Sequence, residues 1–87
     1  MNGGPVEHDE PARRFTRIVD GQRCVLDYSL EHDVMTIVHT YVPPPVAGRG
    51  IAAELTGAAL EAARGRHWRV RATCSYAVAY LRKHQRR

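Results

Sequence analysis

Residues 42–55 read VPPPVAGRGIAAEL. Three consecutive prolines, Pro43, Pro44 and Pro45, end the apolar strand that precedes them, because proline has no N–H for a ladder and fixes its own φ. Gly48-Arg49-Gly50 then makes a turn, and an alanine-rich helix is expected to start near Ile51. Ile51, Leu55, Ala58, Ala59 and Ala62 recur at helical spacing and form its apolar stripe. A strand leading through glycines into a helix gathers free backbone N–H groups at the positive end of a helix dipole. That end favours a negative charge by about 0.3–1 kcal/mol per interaction. Gly48 and Gly50 would let the backbone approach a ligand closely, and Arg49 is placed to pair with a phosphate. A plain surface turn is the competing reading, since glycine and proline are mainly turn punctuation.

Working outward, RFTRIVDG (14–21) reads as a short strand ending in the Asp20-Gly21 turn signal. In QRCVLDYSL (22–30), Cys24, Leu26, Tyr28 and Leu30 point one way and Arg23, Val25, Asp27 and Ser29 the other. EHD (31–33) turns the chain. VMTIVHTYV (34–42) carries β-branched residues at both parities, the mark of a central strand covered on both sides. These three strands make an antiparallel meander. After the helix, Gly65 is the expected stop. HWRVRAT (67–73) gives a fourth strand with Trp68, Val70, Ala72 and Cys74 on one face, and SYAVAYLRKHQ (75–85) a second helix capped by Ser75. The order β-β-β-α-β-α predicts an α+β (α/β sandwich) fold, with helices packed on a mixed, mostly antiparallel sheet.

The chain has 87 residues, enough for one compact domain that buries roughly 60% of its unfolded surface. Residues 1–12 read as a flexible polar lead-in and 13–87 as the domain. No apolar run reaches the length of a membrane span, and MNGGPVEHDEPARR lacks the apolar core of a secretory signal, so a soluble cytoplasmic protein is expected. Cys24 and Cys74 stand fifty positions apart with no metal-ligand spacing around them, so no metal is expected. The formal charge is +4, and after Glu61 no acid follows, whereas Arg64, Arg66, Arg69, Arg71, Arg82, Lys83, Arg86 and Arg87 do. That end should attract anions. Nucleic acid is disfavoured as the partner: no aromatic platform, helix-turn-helix or zinc finger is legible, and bare charge gives only weak, salt-dependent binding.

Three phosphate-binding patterns compete for the glycine turn. A P-loop ends in Gly-Lys-Ser/Thr, which Gly50-Ile51-Ala52 lacks. A dinucleotide fingerprint fits loosely on Gly48, Gly50 and Ala53, but the ribose-binding acid expected about 20 residues on is missing. The third fits far better. VHTYVPPPVAGRGIAAEL (38–55) closely resembles the acyl-CoA loop of the Gcn5-related N-acetyltransferases, and in particular of the small YjdJ-type members that lack the first two helices. The likeness runs from residue 14 to 84 and takes in the meander, His39-Thr40, Val42-Pro43-Pro44, GRGIA (48–52) and Cys74-Ser75 opening a helix with AYLRKH (79–84).

This resemblance implies a minimal acetyltransferase fold that binds acetyl-CoA (coenzyme A). Ala47, Gly48, Arg49, Gly50, Ile51 and Ala52 stand at the pyrophosphate loop, with Ala47 departing from the usual polar residue. It also implies that the strand ending at Val42 splays from the WRVRAT strand. Pantetheine would lie in the gap, bonded by the chain at Thr40, Tyr41 and Val42, with Cys74 among the cofactor-binding residues and His39 near the acetyl end.

Acetyl transfer to an amine needs a neutral amine, a stabilised oxyanion and a protonated leaving thiolate. Cys74 is the first candidate catalytic residue: it opens the second helix, where a thiol is acidified, and could take the acetyl group itself. A buried, inert thiol is the alternative. His39 is the second, as a base expected on the face of Met35, Ile37 and Tyr41; a hydrogen-bonded structural histidine is its alternative. Related proteins carry Glu where Tyr41 stands, and the tyrosine of larger members falls on Leu81, one residue from Tyr80. Tyr76 and Tyr80, four apart, read as a packing pair, Cys24 as core and Trp68 as packing under the first helix. The function implied is N-acetylation of an amine acceptor, on a small molecule or a protein lysine. The cleft would be open or completed by a second subunit, so a homodimer is compatible. A CoA-binding module without catalysis and a basic nucleic-acid-binding domain are the alternatives.

Overall fold

The structure is a computed structural model that describes residues 5–85. In chain order the elements are β1 (Glu7–Asp9), β2 (Arg14–Val19), β3 (Gln22–Glu31), β4 (Val34–Tyr41), a 3-10 turn (Pro44–Val46), α1 (Ile51–Arg66), β5 (Arg69–Ala72) and α2 (Ser75–Gln85). The strands lie side by side in sequence order, antiparallel from β1 to β4 and parallel between β4 and β5. This is the mixed α+β arrangement the sequence predicts, with one strand more. No helix among the described residues is long and apolar enough to cross a membrane.

The extra strand, β1, falls inside the polar lead-in and pairs with β2 through His8 opposite Phe15. Glu7 and Asp9 face solvent and only His8 turns inward. Its ring stacks on Phe15 with centroids 4.1 Å apart, and Nε2 lies 2.6 Å from the Tyr28 hydroxyl. Residues 1–4 of the lead-in, Arg86 and Arg87 of the basic end, and the side chain of His84 lie outside the described residues.

The β2–β3 and β3–β4 hairpins close through two-residue turns with positive φ at each position: Asp20 (49°) with Gly21 (76°), and His32 (51°) with Asp33 (63°). Turns of this hand match the twist of the strands they join. The resulting registers put Phe15, Val19, Cys24, Leu26, Tyr28, Met35 and Ile37 on one face of the sheet. Val46, then Ile51, Leu55, Ala59 and Ala63 of α1, and Ala77 of α2, complete the same cluster. Burying each of the larger apolar side chains contributes about 1.5–3 kcal/mol. Thr56 is fully buried in the α1 stripe and satisfies its hydroxyl at the Ala52 carbonyl, 2.8 Å away.

Three features differ from the sequence expectation. β4 is not covered on both sides, because both helices join one cluster; Val38 and Tyr41 stand 45% and 48% exposed. α1 does not stop at Gly65. It runs to Arg66 and closes on His67 at φ 62°, where His67 N–H returns to the Arg64 carbonyl (3.2 Å) and Trp68 N–H to that of Ala63 (2.8 Å). Ser75 is not the cap of α2. Val78 N–H bonds to the Cys74 carbonyl at 2.9 Å, the first turn of the helix, which puts Cys74 at the N-cap.

Candidate active site

The prolines do what their chemistry dictates. Pro43 is buried, Pro44 and Pro45 enter a short 3-10 turn, and Val46 plugs the core at 1% exposure, which fixes the exit from β4. Gly48 (φ 84°) and Gly50 (φ 78°) then take left-handed conformations that suit glycine, and a Cβ at either position would meet no protein atom within 4 Å. Gly50 is the N-cap of α1, and Glu54 N–H makes the first helical bond to its carbonyl at 3.1 Å. The N–H groups of Ile51, Ala52 and Ala53 precede that bond and point out of the helix end. Val42, Ala47, Gly48, Gly50, Ile51, Ala52 and Ala53, with Tyr76 from α2, line a cavity of about 210 Å³. Arg49 lies outside it and donates to Asp20 Oδ2 at 2.7 Å on the β2–β3 turn. Such an exposed pair is worth at most about 1 kcal/mol, so an anion at the loop competes for Arg49 at small cost.

Beside the loop the sheet opens. β4 and β5 pair from Val34 opposite Arg69 to Ile37 opposite Ala72, and there the pairing ends while β4 continues to Tyr41. Thr73 N–H and Cys74 N–H both turn to the Ile37 carbonyl, at 3.0 and 3.3 Å, and α2 leads the chain away. Thr40 and Cys74 face each other across the gap, the thiol donating to Thr40 Oγ1 at 3.7 Å. Burial alone would push the Cys74 thiol up. The Ala77 N–H, the Thr40 hydroxyl and the N–H groups of Tyr76 and Thr40 outweigh it and hold the thiol below its ordinary value. A thiolate there is the acceptor the α2 N-terminus wants. Cys24 is the opposite case, fully buried and pushed up by burial, with Arg17 opposing. Both cysteines are free.

The second catalytic candidate is displaced. Tyr28 pairs with Ile37 but Asp27 pairs with His39, so Val38 bulges from the ladder and the parity of β4 inverts there. Thr40, opposite Leu26, therefore shares the core face with Met35 and Ile37. His39 and Tyr41 lie exposed on the other face, against the expectation that they share the face of Met35 and Ile37. Tyr76 and Tyr80 are the expected packing pair, with centroids 6.2 Å apart, and Trp68 packs against Tyr28 at 6.2 Å with the Arg66 guanidinium over its ring. Of the site residues read from sequence, Val42, Ala47, Gly48, Gly50, Ile51 and Ala52 meet in one cavity, and Thr40 and Cys74 meet in the adjoining gap. Tyr76 and Ala53 were missed; the signal for Tyr76 was its place two residues into a helix that Cys74 opens.

Residues 14–87 match the family model described as GCN5-related N-acetyl-transferase. The chain belongs to that family. Among its relatives, the mouse (Mus musculus) protein called Protein NATD1 is 36% identical over 86 residues, covering 93% of this chain and 78% of its own. The human (Homo sapiens) protein of the same name is 36% identical over 81 residues, covering 90% and 72%. A solved structure, the ribosomal-protein-alanine N-acetyltransferase of Brucella melitensis biovar Abortus 2308, superposes with a TM-score of 0.59 at 18% identity. The match covers 80% of this chain and 60% of that one, so this acetyltransferase-family chain shares the neighbour's fold on a shorter frame.

Proposed function

We propose that this family member binds acetyl-CoA through residues 47–52 and transfers the acetyl group to an amine acceptor, on a small molecule or a protein lysine. One observation carries the reading: a helix N-terminus with outward N–H groups lines a cavity that reaches Val42 and Tyr76, each two residues from the facing pair of Thr40 and the acidified Cys74. The residues suit the ligand. Glycines at 48 and 50 leave room at the loop for a diphosphate, and the α1 N–H groups and dipole favour its charge. From Thr40 to Val42 the chain has no strand partner on its β5 side, and the backbone groups on that edge are free for the pantetheine amides. Acetyl-CoA brings an activated thioester. The Cys74 thiolate would attack its carbonyl, a bond to Sγ forming as the bond to the CoA sulfur breaks and that sulfur leaves as a thiolate that takes up a proton. Attack by the neutral amine then restores Cys74. In direct transfer the amine attacks the thioester itself, and the Cys74 thiol is the group at hand to protonate the leaving sulfur. Two free cysteines suit a reducing cytoplasm as the place of action.

A thermal-shift titration with acetyl-CoA, beside CoA, NAD and a short DNA duplex, tests the binding. At 100 times its dissociation constant a ligand stabilises by about 2.7 kcal/mol, which is roughly 10–20 °C in a domain this small. A shift with the CoA forms alone is the expected result; no shift with either removes the reading. A second reading, a CoA-binding module without turnover, draws support from two placements. His39 faces away from the gap, and the Tyr80 hydroxyl lies only 3.5 Å from where a Cβ on Gly57 would sit, part-way along α1. An acetyl-transfer assay on a panel of polyamines and lysine peptides, with Cys74→Ser beside the native chain, separates the two.

A further inference from the structure

The basic side chains of the C-terminal third have no part in the chemistry above, and the fold sets two of these arginines on an open edge. β5 ends the sheet, paired with β4 on one side and with no strand on the other among the described residues. Arg69 N–H and Thr73 N–H bond toward β4, to the carbonyls of Asp33 (2.8 Å) and Ile37 (3.0 Å). Backbone groups alternate along a strand, so the N–H and C=O of Val70 and Ala72 point to the outer edge. Val70 and Ala72 pack toward the core, while Arg69 and Arg71 stand exposed on the opposite face, two residues apart. Among the described residues Arg69, Arg71, Arg82 and Lys83 make no ion pair. The chain has no acid after Glu61 to give them one nearby in sequence.

We propose that the β5 edge receives an extended, acidic segment of another polypeptide as an added strand. The outer N–H and C=O groups supply the attachment, and acidic side chains at alternate positions, about 6.6–6.8 Å apart, meet Arg69 and Arg71. A second copy of this chain is a poor occupant. Two β5 edges paired about a two-fold axis would set arginine against arginine, the device by which natural edges resist self-pairing. A nucleic acid would use the charge and leave the backbone edge unmatched. β5 also runs straight into Thr73 and Cys74, so a segment laid on its outer edge ends across Cys74 from the gap. Resting on the acetyl-transfer reading, that segment is the acceptor and presents its amine there.

Fluorescence anisotropy tests the surface with a labelled peptide alternating Glu and Val. Its comparators carry Gln or Lys for Glu, or N-methyl groups at alternate residues; a short DNA duplex completes the set. The Glu peptide is expected to bind, and each altered peptide to bind about tenfold more weakly or worse. Arg69→Glu with Arg71→Glu should cost the Glu peptide at least about tenfold and reverse the preference toward the Lys peptide. Both arginines are exposed, and the acetyl-CoA thermal shift should persist in that variant. Equal binding of the Glu and Lys peptides, or undiminished binding of the N-methylated one, overturns the proposal. So does duplex binding that exceeds peptide binding at the same salt, or self-association of the native chain that the double reversal abolishes. A missing acetyl-CoA shift in the native chain overturns the transfer reading and the segment's role as acceptor, while the docking surface stands or falls on the peptides alone.

Discussion

The two halves of β4 do opposite work. From Val34 to Ile37 the strand is bonded on both sides, to β3 and β5, and Met35 and Ile37 are fully buried beneath α1. From Val38 to Tyr41 it bulges, keeps only β3 as a neighbour, and turns Thr40 toward Cys74. The first half spends its polar groups on the ladder and its side chains on the core. The second is laddered to β3 alone and leaves the groups on its other edge unspent, and binding needs such unsatisfied groups. The proposed site thus lies where one pairing stops early, with no extra element.

The contrast makes predictions of graded size. Ile37→Ala should destabilise by about 2–5 kcal/mol in urea denaturation, through lost transfer energy and the cavity left behind. Thr40→Val, three residues on, should stay under about 1 kcal/mol. If the two cost the same, the halves are not energetically distinct. Gly50→Glu should abolish the acetyl-CoA shift, worth about 2.7 kcal/mol at saturating ligand. Its own strain at φ 78° should cost about 1–2 kcal/mol of stability. Normal acetyl-CoA binding by that variant would remove the diphosphate from the loop.

Smaller effects sharpen the comparison through the thiols. Iodoacetamide at neutral pH should modify Cys74 in the native protein and leave Cys24 untouched until it unfolds. Thr40→Val should slow the Cys74 reaction severalfold by removing one stabilising hydroxyl; an unchanged rate would mean that the gap does not tune the thiol. Least in size is a pH effect at the closed side of the sheet. Burial against Phe15 and Tyr28, and then the charge of Arg66, lower the pKa of His8 from its ordinary 6.5, with Asp9 opposing. Protonation is therefore harder in the fold than in the unfolded chain. Stability is present in full above pH 6.5 and is lost as the pH falls below it. His8→Phe, which keeps a ring on Phe15, should flatten that part of the melting profile, and an equally steep profile would place the titration elsewhere.

What could be read from the sequence was whatever rests on period and punctuation. The meander follows from alternation at Cys24, Leu26, Tyr28 and Leu30, and the loop from prolines and glycines whose backbone limits are intrinsic. Features set by a single residue in context were not legible. β1 has one inward side chain, and His8 reveals its burial only once Phe15 and Tyr28 are beside it. The bulge at Val38 comes from the fit between two strands, and it moves His39 to the wrong face for any pattern count. His67 closes α1 because Ala63 and Arg64 carbonyls await its turn, although Gly65 is the better residue for that conformation. Cys74 caps α2 although Ser75 has the better capping side chain, because β5 ends early enough to place the thiol there.

The parallel pairing of β4 with β5 also sets an order of events in time. The meander joins neighbours through two-residue turns and needs little loop closure, whereas Val34 meets Arg69 only after a long crossover through α1. Until that closure the glycine loop and Cys74 do not share an opening. The proposed site is then a product of the slowest contact in the molecule, and a ligand lodged across it holds shut the seam that must part first. Acetyl-CoA bound there should lengthen the lifetime of the native state and leave the refolding rate almost unchanged.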